Sequence, residues 1–294
     1  RTYQDMGDFP RATTNHQLAV SSYRRAFSGA HTNLALALAH LGRCQSFISD
    51  VTSGNANAAL GLQMARQCGN TEVLIECLKN YARSLKPMGM GTPEEEPYVR
   101  EALELSKKQN SDPLQIAARK LELAGISTNN AEAEMLLKDA IALYRQHLPS
   151  SERTLADALF ILGQHFVGTG QFEEAERTLR ETLKSFHKIH DVNHPYQSIV
   201  LRYLIYALIG QGKMKEAETE LREHLEAFPA NVNYLYMLVR FRMQHGSPGG
   251  ATEALPRDLE AKLEQGEISS PWAISLLQVG ADEPYQEYRR RYLD

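Results

Sequence analysis

The chain has 294 residues, 43% hydrophobic and 23% charged, with a net charge of −4 and an isoelectric point near 6.2. That is enough ordinary soluble sequence for one or two packed domains, and its acidic balance argues against bulk nucleic-acid binding, which needs a basic surface. No apolar run approaches the ~18 residues that cross a bilayer, and no basic-then-apolar leader opens the chain.

The first residue is Arg1, which reads as the start of a segment taken from a longer protein. In chain order, MGDFPRA (6–12) carries a Gly-x-x-x-x-Ala step from Gly7 to Ala12, so the segment reads as starting inside a repeating unit. Leu38, Leu41 and Gly42, then Ala58, Leu62 and Ala65, predict a helix pair with a loosened turn at TSGN (52–55). Leu78, Tyr81, Ala82, Leu85 and Gly89, followed by Ala102 and Leu105, predict a second pair. Leu114, Ala117, Ala118, Leu121 and Gly125, followed by Ala133, Leu137 and Ala140, predict a third. GMGTP (89–93) lacks the Lys-Ser/Thr of a phosphate-binding loop and reads as a turn. PEEEP (93–97) loads a helix start with acid, which suits the positive end of the helix dipole. Cys44, Cys68 and Cys77 are odd in number, lack C-x-x-C spacing and fall in helical segments, so they read as free thiols in a reducing compartment.

The clearest signal comes next. Leu155, Leu159, Leu162 and Phe166 form one stripe of a helix, Gly170 breaks it, and Glu173 and Glu174 open the following helix. Ala175, Leu179 and Leu183 form the facing stripe. TGQFEEAERTL (169–179) is then repeated 42 residues later as QGKMKEAETEL (211–221), sharing a glycine, an alanine and a leucine at matching places. Repeated packing residues mark stacked units that share a continuous core.

L-x-x-L-G-x-x-F-x-x-x-G-x-x-x-x-A-x-x-x-L, from Leu159 to Leu179, resembles the tetratricopeptide repeat, a two-helix unit of 34 residues. Leu201, Leu204, Leu208, Gly212, Ala217, Leu221 and Pro229 give a second copy. Leu235, Leu238, Gly246, Ala251 and Leu255 give a third, and one more step reaches Trp272 and Gly280. The longer 42-residue interval, with its loop at DVNHP (191–195), resembles the extended repeats of the kinesin light chain type. The resemblance implies an all-α, right-handed α-solenoid of about seven stacked antiparallel helix pairs. It would form one domain over 1–294: degenerate repeats over 1–150, clearer repeats over 151–265, and capping helices over 266–294. EPYQEYRRRYLD (283–294) reads as the polar cap, although Trp272 and the terminal tyrosines could equally mediate dimerisation.

Little in the sequence points to catalysis. His187, His190, Asp191 and His194 in HKIHDVNHP have a spacing that could ligate a metal, but the segment falls where extended repeats place a loop, and His194-Pro195 reads as a helix boundary. There is no G-x-S-x-G elbow and no H-E-x-x-H. The expectation is a non-enzyme without cofactor or metal.

The resemblance also implies which residues face inward. In tetratricopeptide repeats the first helix of each pair lines the concave groove, with exposed positions one residue after the first and third apolar markers. Counting in this way gives Ala39 and Arg43, Lys79 and Arg83, Gln115 and Arg119, Phe160 and Gln164, Arg202 and Tyr206, and Tyr236 and Arg240. Cations occupy five of these six rungs, with no acid among them. Arginine forks suit carboxylates, and the aromatics offer apolar or stacking contacts. Lys79 and Arg83 match half of the carboxylate clamp of chaperone-binding relatives, but the asparagines that complete it are missing. The competing reading pairs these arginines with glutamates on adjacent helices, such as Glu76 or Glu122. The expected function is a cytoplasmic protein-interaction scaffold holding an extended or helical, acidic peptide. The alternatives are a sensor or regulatory module of a larger kinase or transcription regulator, and an RNA-binding solenoid.

Overall fold

A computed structural model describes residues 8–48, 50–85, 93–149, 153–189 and 195–227. The expected third clear repeat, the capping helices, Tyr236, Arg240 and most of the DVNHP loop lie outside these residues. Among the described residues there are eleven α-helices and no strand. They gather into two compact units, Arg1–Pro149 and Ser150–Asp294, divided where the degenerate repeats give way to the clear ones. No helix among the described residues is long and apolar enough to cross a membrane.

The first unit holds α1 (Phe9–Ala26), α2 (Thr32–Phe47), α3 (Val51–Cys68), α4 (Thr71–Ser84), α5 (Glu96–Lys108), α6 (Pro113–Ala124) and α7 (Asn130–His147). A short 3-10 turn at Pro93–Glu95 leads into α5, so the acid-rich PEEEP stretch does open a helix. α2 packs on α3, α4 on α5 and α6 on α7, while α1 lies against α2 and the inner helices α2 and α4 touch. Most of these helices start on a short polar cap. Asp8, Asp50, Asn70, Asp112 and Asn129 each accept a backbone N–H from the first turn. Such caps satisfy donors that the helix itself leaves unpaired, each contributing about 1 kcal/mol.

One expectation for this unit is corrected. TSGN (52–55) is no loosened turn: it lies in the first turns of α3, which begins at Val51 with Asp50 as its cap. The glycine is there for packing. A Cβ on Gly42 would sit 2.6 Å from the Ala58 Cβ, and one on Gly54 would sit 2.7 Å from the Gly42 carbonyl oxygen. Two helices crossing this closely have no room for a methyl group.

The second unit holds α8 (Arg153–Gly168), α9 (Phe172–Ile189), α10 (Pro195–Gly210) and α11 (Met214–Ala227). α8 pairs with α9 and α10 with α11, and α10 also packs on α8 and α9. The two copies of the repeated segment end their first helices identically. Gly170 and Gly212 adopt left-handed φ values of 76° and 74°. Around them Gln171 N–H donates to the Phe166 carbonyl and Gly170 N–H to that of Val167, and Lys213 and Gly212 do the same to Leu208 and Ile209. This is a Schellman closure, which favours glycine at the left-handed position. Ala175, Leu179, Ala217 and Leu221 are then fully buried at matching places.

Candidate functional site

In the first unit, three-and-four spacing brings charged side chains onto one face of the inner helices. α2 contributes His40 and Arg43, α4 contributes Glu76, Lys79, Asn80 and Arg83, and α6 contributes Arg119 and Glu122. Lys79 Nζ donates to Glu76 Oε2 at 2.7 Å. Arg83 Nε donates to Glu122 Oε1 at 3.1 Å across the gap from α4 to α6, and Arg119 Nη1 donates to the other oxygen of the same carboxylate at 3.3 Å. Asn80, fully buried, donates to the carbonyl and carboxylate of Glu76. Three of the predicted groove cations are therefore tied to the glutamates that the competing reading named.

Arg43 differs. It makes no ion pair among the described residues, and its Nε is buried without a hydrogen-bond acceptor. Burial, together with the nearby Arg83 guanidinium, pushes its pKa down despite Glu76 and Glu122 in range. Arg119 is only 9% exposed, and its Nε likewise lacks an acceptor. Ala39, counted as a groove rung, is fully buried, because α2 is packed by α1, α3 and α4. Gln115 is exposed.

Two histidines join this face. The rings of His16, on α1, and His40 stack 5.4 Å apart. Burial lowers the pKa of both, that of His40 to about 4, with His16, Lys79 and Arg43 pushing the same way and Glu76 opposing. The lowering favours the neutral form of both rings. Lys79 is also lowered, first by burial, with its Glu76 partner opposing. Glu76 is lowered because its bonds to Lys79 and Asn80 outweigh burial, which acts in the other direction. His40, Glu76 and Glu122 each stand three residues from a predicted cation, a spacing visible in the sequence; His16 has no such mark.

The second unit presents a more open face. Phe160 on α8 meets Tyr203 on α10 edge-on at 5.5 Å, and Tyr203 meets Tyr206 at 6.0 Å. Arg202 is exposed, with its guanidinium carbon 5.9 Å from the centre of the Tyr203 ring. It makes no ion pair among the described residues. Tyr206 is 47% exposed, and Gln164 is half-buried. Tyr203, absent from the sequence-derived set, links the aromatics. Its apolar neighbours in the sequence hide it.

The two helix pairs of this unit are joined by a polar contact. Glu176 on α9 accepts from Arg180 Nε at 3.0 Å, Gln211 Nε2 at 2.9 Å and Lys213 Nζ at 2.8 Å. Burial would raise its pKa, but these donors outweigh burial and hold the carboxyl at about 2. Of the candidate histidine ligands, His187 lies on α9 and the others fall outside the described residues. No group of three or more His, Cys, Asp or Glu side chains forms a metal site among the described residues.

Residues 160–232 match the family model described as tetratricopeptide repeat. No curated protein matches the sequence. Among solved structures, BtubC (BKLC) from P. vanneervenii superposes with a TM-score of 0.61 at 16% identity, covering 84% of this chain and 96% of its own. A putative kinesin light chain from Podosopora anserina, with nearly identical TPR-like repeats, gives 0.59 at 19% identity, covering 69% and 98%. A signal-transduction ATPase with a tetratricopeptide repeat sensor, from Pyrococcus horikoshii, gives 0.63 at 11% identity, covering 87% of this chain and 39% of its own. Residues 160–232 are thus tetratricopeptide repeat sequence, and the chain has the all-helical, paired fold of tetratricopeptide-like proteins, the kinesin light chain type included.

Proposed function

We propose that residues 1–294 act as one non-catalytic protein-interaction scaffold, holding an acidic peptide against the inner helices. The observation that carries this reading is the α10 face. Arg202 is exposed and free of any ion pair among the described residues, beside the exposed Tyr206 and the Phe160–Tyr203 contact. An arginine whose charge is not already spent on a glutamate can take a carboxylate in bidentate fashion. Tyrosine adds contact area at little entropic cost. Arg240 and Tyr236 would extend the same rung pattern, and Arg43, Lys79, Arg83 and Arg119 would supply positive potential in the first unit. Cytoplasmic location suits the free, buried thiols of Cys44 and Cys77, which burial pushes up to about 11 and 12.

The test compares acidic peptides bearing free C-terminal carboxylates with neutral, amidated ones by fluorescence anisotropy. The acidic set binds more tightly, and its advantage shrinks as salt is raised from 50 to 200 mM on the scale of a Debye length of about 10 Å. Replacing Arg202 and Arg240 together by glutamine weakens acidic peptides roughly tenfold or more, at about 1.5–3 kcal/mol per charged hydrogen bond. Unchanged affinity in that double variant refutes the reading. A second reading, a sensor module within a larger signalling protein, is favoured by the repeat sensor of the Pyrococcus ATPase, of which this chain spans 39%.

A further inference from the structure

One arginine stands on each inner helix of the first unit: Arg43 on α2, Arg83 on α4 and Arg119 on α6, with Lys79 one turn from Arg83. Arg43 lies within electrostatic reach of Arg83, Glu76 and Glu122, Lys79 within reach of Arg83, Arg119 and Glu76, and Arg83 and Arg119 both bond to Glu122. The neighbouring imidazoles of His16 and His40 offer no negative charge in either protonation state and so cannot balance the face. Four cations against two carboxylates leave an excess of two positive charges in a half-buried setting. The hydrogen-bond count is short in the same direction. Arg43 Nε and Arg119 Nε are buried without acceptors, and a single carboxylate, Glu122, is shared between Arg83 and Arg119.

A ligand carboxylate would bring one charge and two oxygens. A phosphomonoester brings nearly two charges and three strong acceptor oxygens, matching both shortfalls. We infer that the Arg43–Arg83–Arg119 face is a recognition site for a phosphomonoester dianion carried by a phosphorylated serine or threonine of the bound peptide. This rests on the reading of the chain as a peptide scaffold. The side chains grade from Arg83, 32% exposed, to Arg119, 11% exposed.

The experiment uses the whole chain and three fluorescein-labelled degenerate peptide libraries, identical except for phosphoserine, glutamate or serine at one fixed position. The phosphoserine library binds about tenfold more tightly than the glutamate library. Arg43→Gln removes most of that preference, whereas Arg202→Gln weakens the phosphoserine and glutamate libraries alike. Glu122→Gln strengthens phosphoserine binding by releasing Arg83 and Arg119, a gain that partial unfolding cannot mimic. Equal binding of the phosphoserine and glutamate libraries, both sensitive to Arg202→Gln, overturns this inference and leaves the scaffold reading intact. Binding of none of the libraries overturns both. Inorganic phosphate that competes at the same concentration as a phosphoserine peptide overturns the assignment to a peptide.

Discussion

Leu179 and Gly163 make the sharpest test of how the repeats pack. Leu179 is fully buried on α9, and a Cβ placed on Gly163 of α8 would lie 2.6 Å from its Cδ2 and 2.7 Å from its Cγ. Truncating Leu179 to alanine removes three carbons from a closed interface and costs about 3 kcal/mol in lost burial and cavity. Gly163→Ala alone pushes a methyl into the leucine, at about 1–3 kcal/mol of overpacking, offset by roughly 1 kcal/mol from better helix propensity. In the double variant the new methyl falls into the space the leucine vacated. Overpacking vanishes and the propensity gain remains, so the pair is less damaging than the sum of the singles by about 1–3 kcal/mol. Urea unfolding followed by circular dichroism at 222 nm for all four proteins gives the cycle directly. Additivity within about 0.5 kcal/mol would show that the two residues do not share this contact, and the close crossing of α8 and α9 would be refuted.

Glu176 has its pKa depressed to about 2 in the folded chain, from an ordinary 4.5. Its contribution is therefore complete above pH 4.5 and is lost as pH falls toward 2, an upper limit of about 3 kcal/mol that solvent screening reduces to about 1–2 kcal/mol. Wild-type stability should fall across that window more steeply than that of Glu176→Gln, and parallel pH profiles would refute the linkage. Gly170→Ala and Gly212→Ala each force a left-handed residue with a side chain and should cost about 1 kcal/mol apiece. Gly168→Ala, which meets nothing within 4 Å and is the last residue of α8, should be neutral or stabilising in the same urea unfolding. Asp50→Ala removes the cap whose carboxylate accepts the Ser53 N–H at 3.3 Å, and should cost about 1 kcal/mol.

Much of the fold could be read from the sequence because tetratricopeptide packing is local. The leucine stripe of α8, the glycine closure at 170 and the small Ala175 each act within one helix pair, so spacing alone reveals them. Arg202 and Tyr206, taken by the same counting, are exposed on α10. That counting misplaced Ala39 because α2 is not amphipathic in the ordinary sense. Leu34, Ala35, Ala37, Leu38, Ala39 and Leu41 are all buried, since α1, α3 and α4 enclose the helix from three sides. An enclosed helix has no polar stripe from which to count. TSGN read as a turn for a related reason: Gly54 is needed by a crossing partner, Gly42, and not by its own backbone.

What spacing could not give is the state of the cations. Lys79 and Glu76 are three apart, so their pairing was visible, but Arg83 meets a carboxylate 39 residues away, and only the approach of α6 to α4 brings it there. Nor does net charge decide the matter. The chain is acidic overall, yet glutamates such as Glu173, Glu174 and Glu181 lie on the exposed side of α9, away from its buried Ala175 and Leu179. A negative total is therefore compatible with a positive inner face. The two units meet that charge differently. The first sets two carboxylates against four cations and leaves Arg43 without an ion pair among the described residues; the second leaves Arg202 against an aromatic ring. At the arginines of α4 and α6 an incoming anion must outcompete Glu122 for two guanidinium groups.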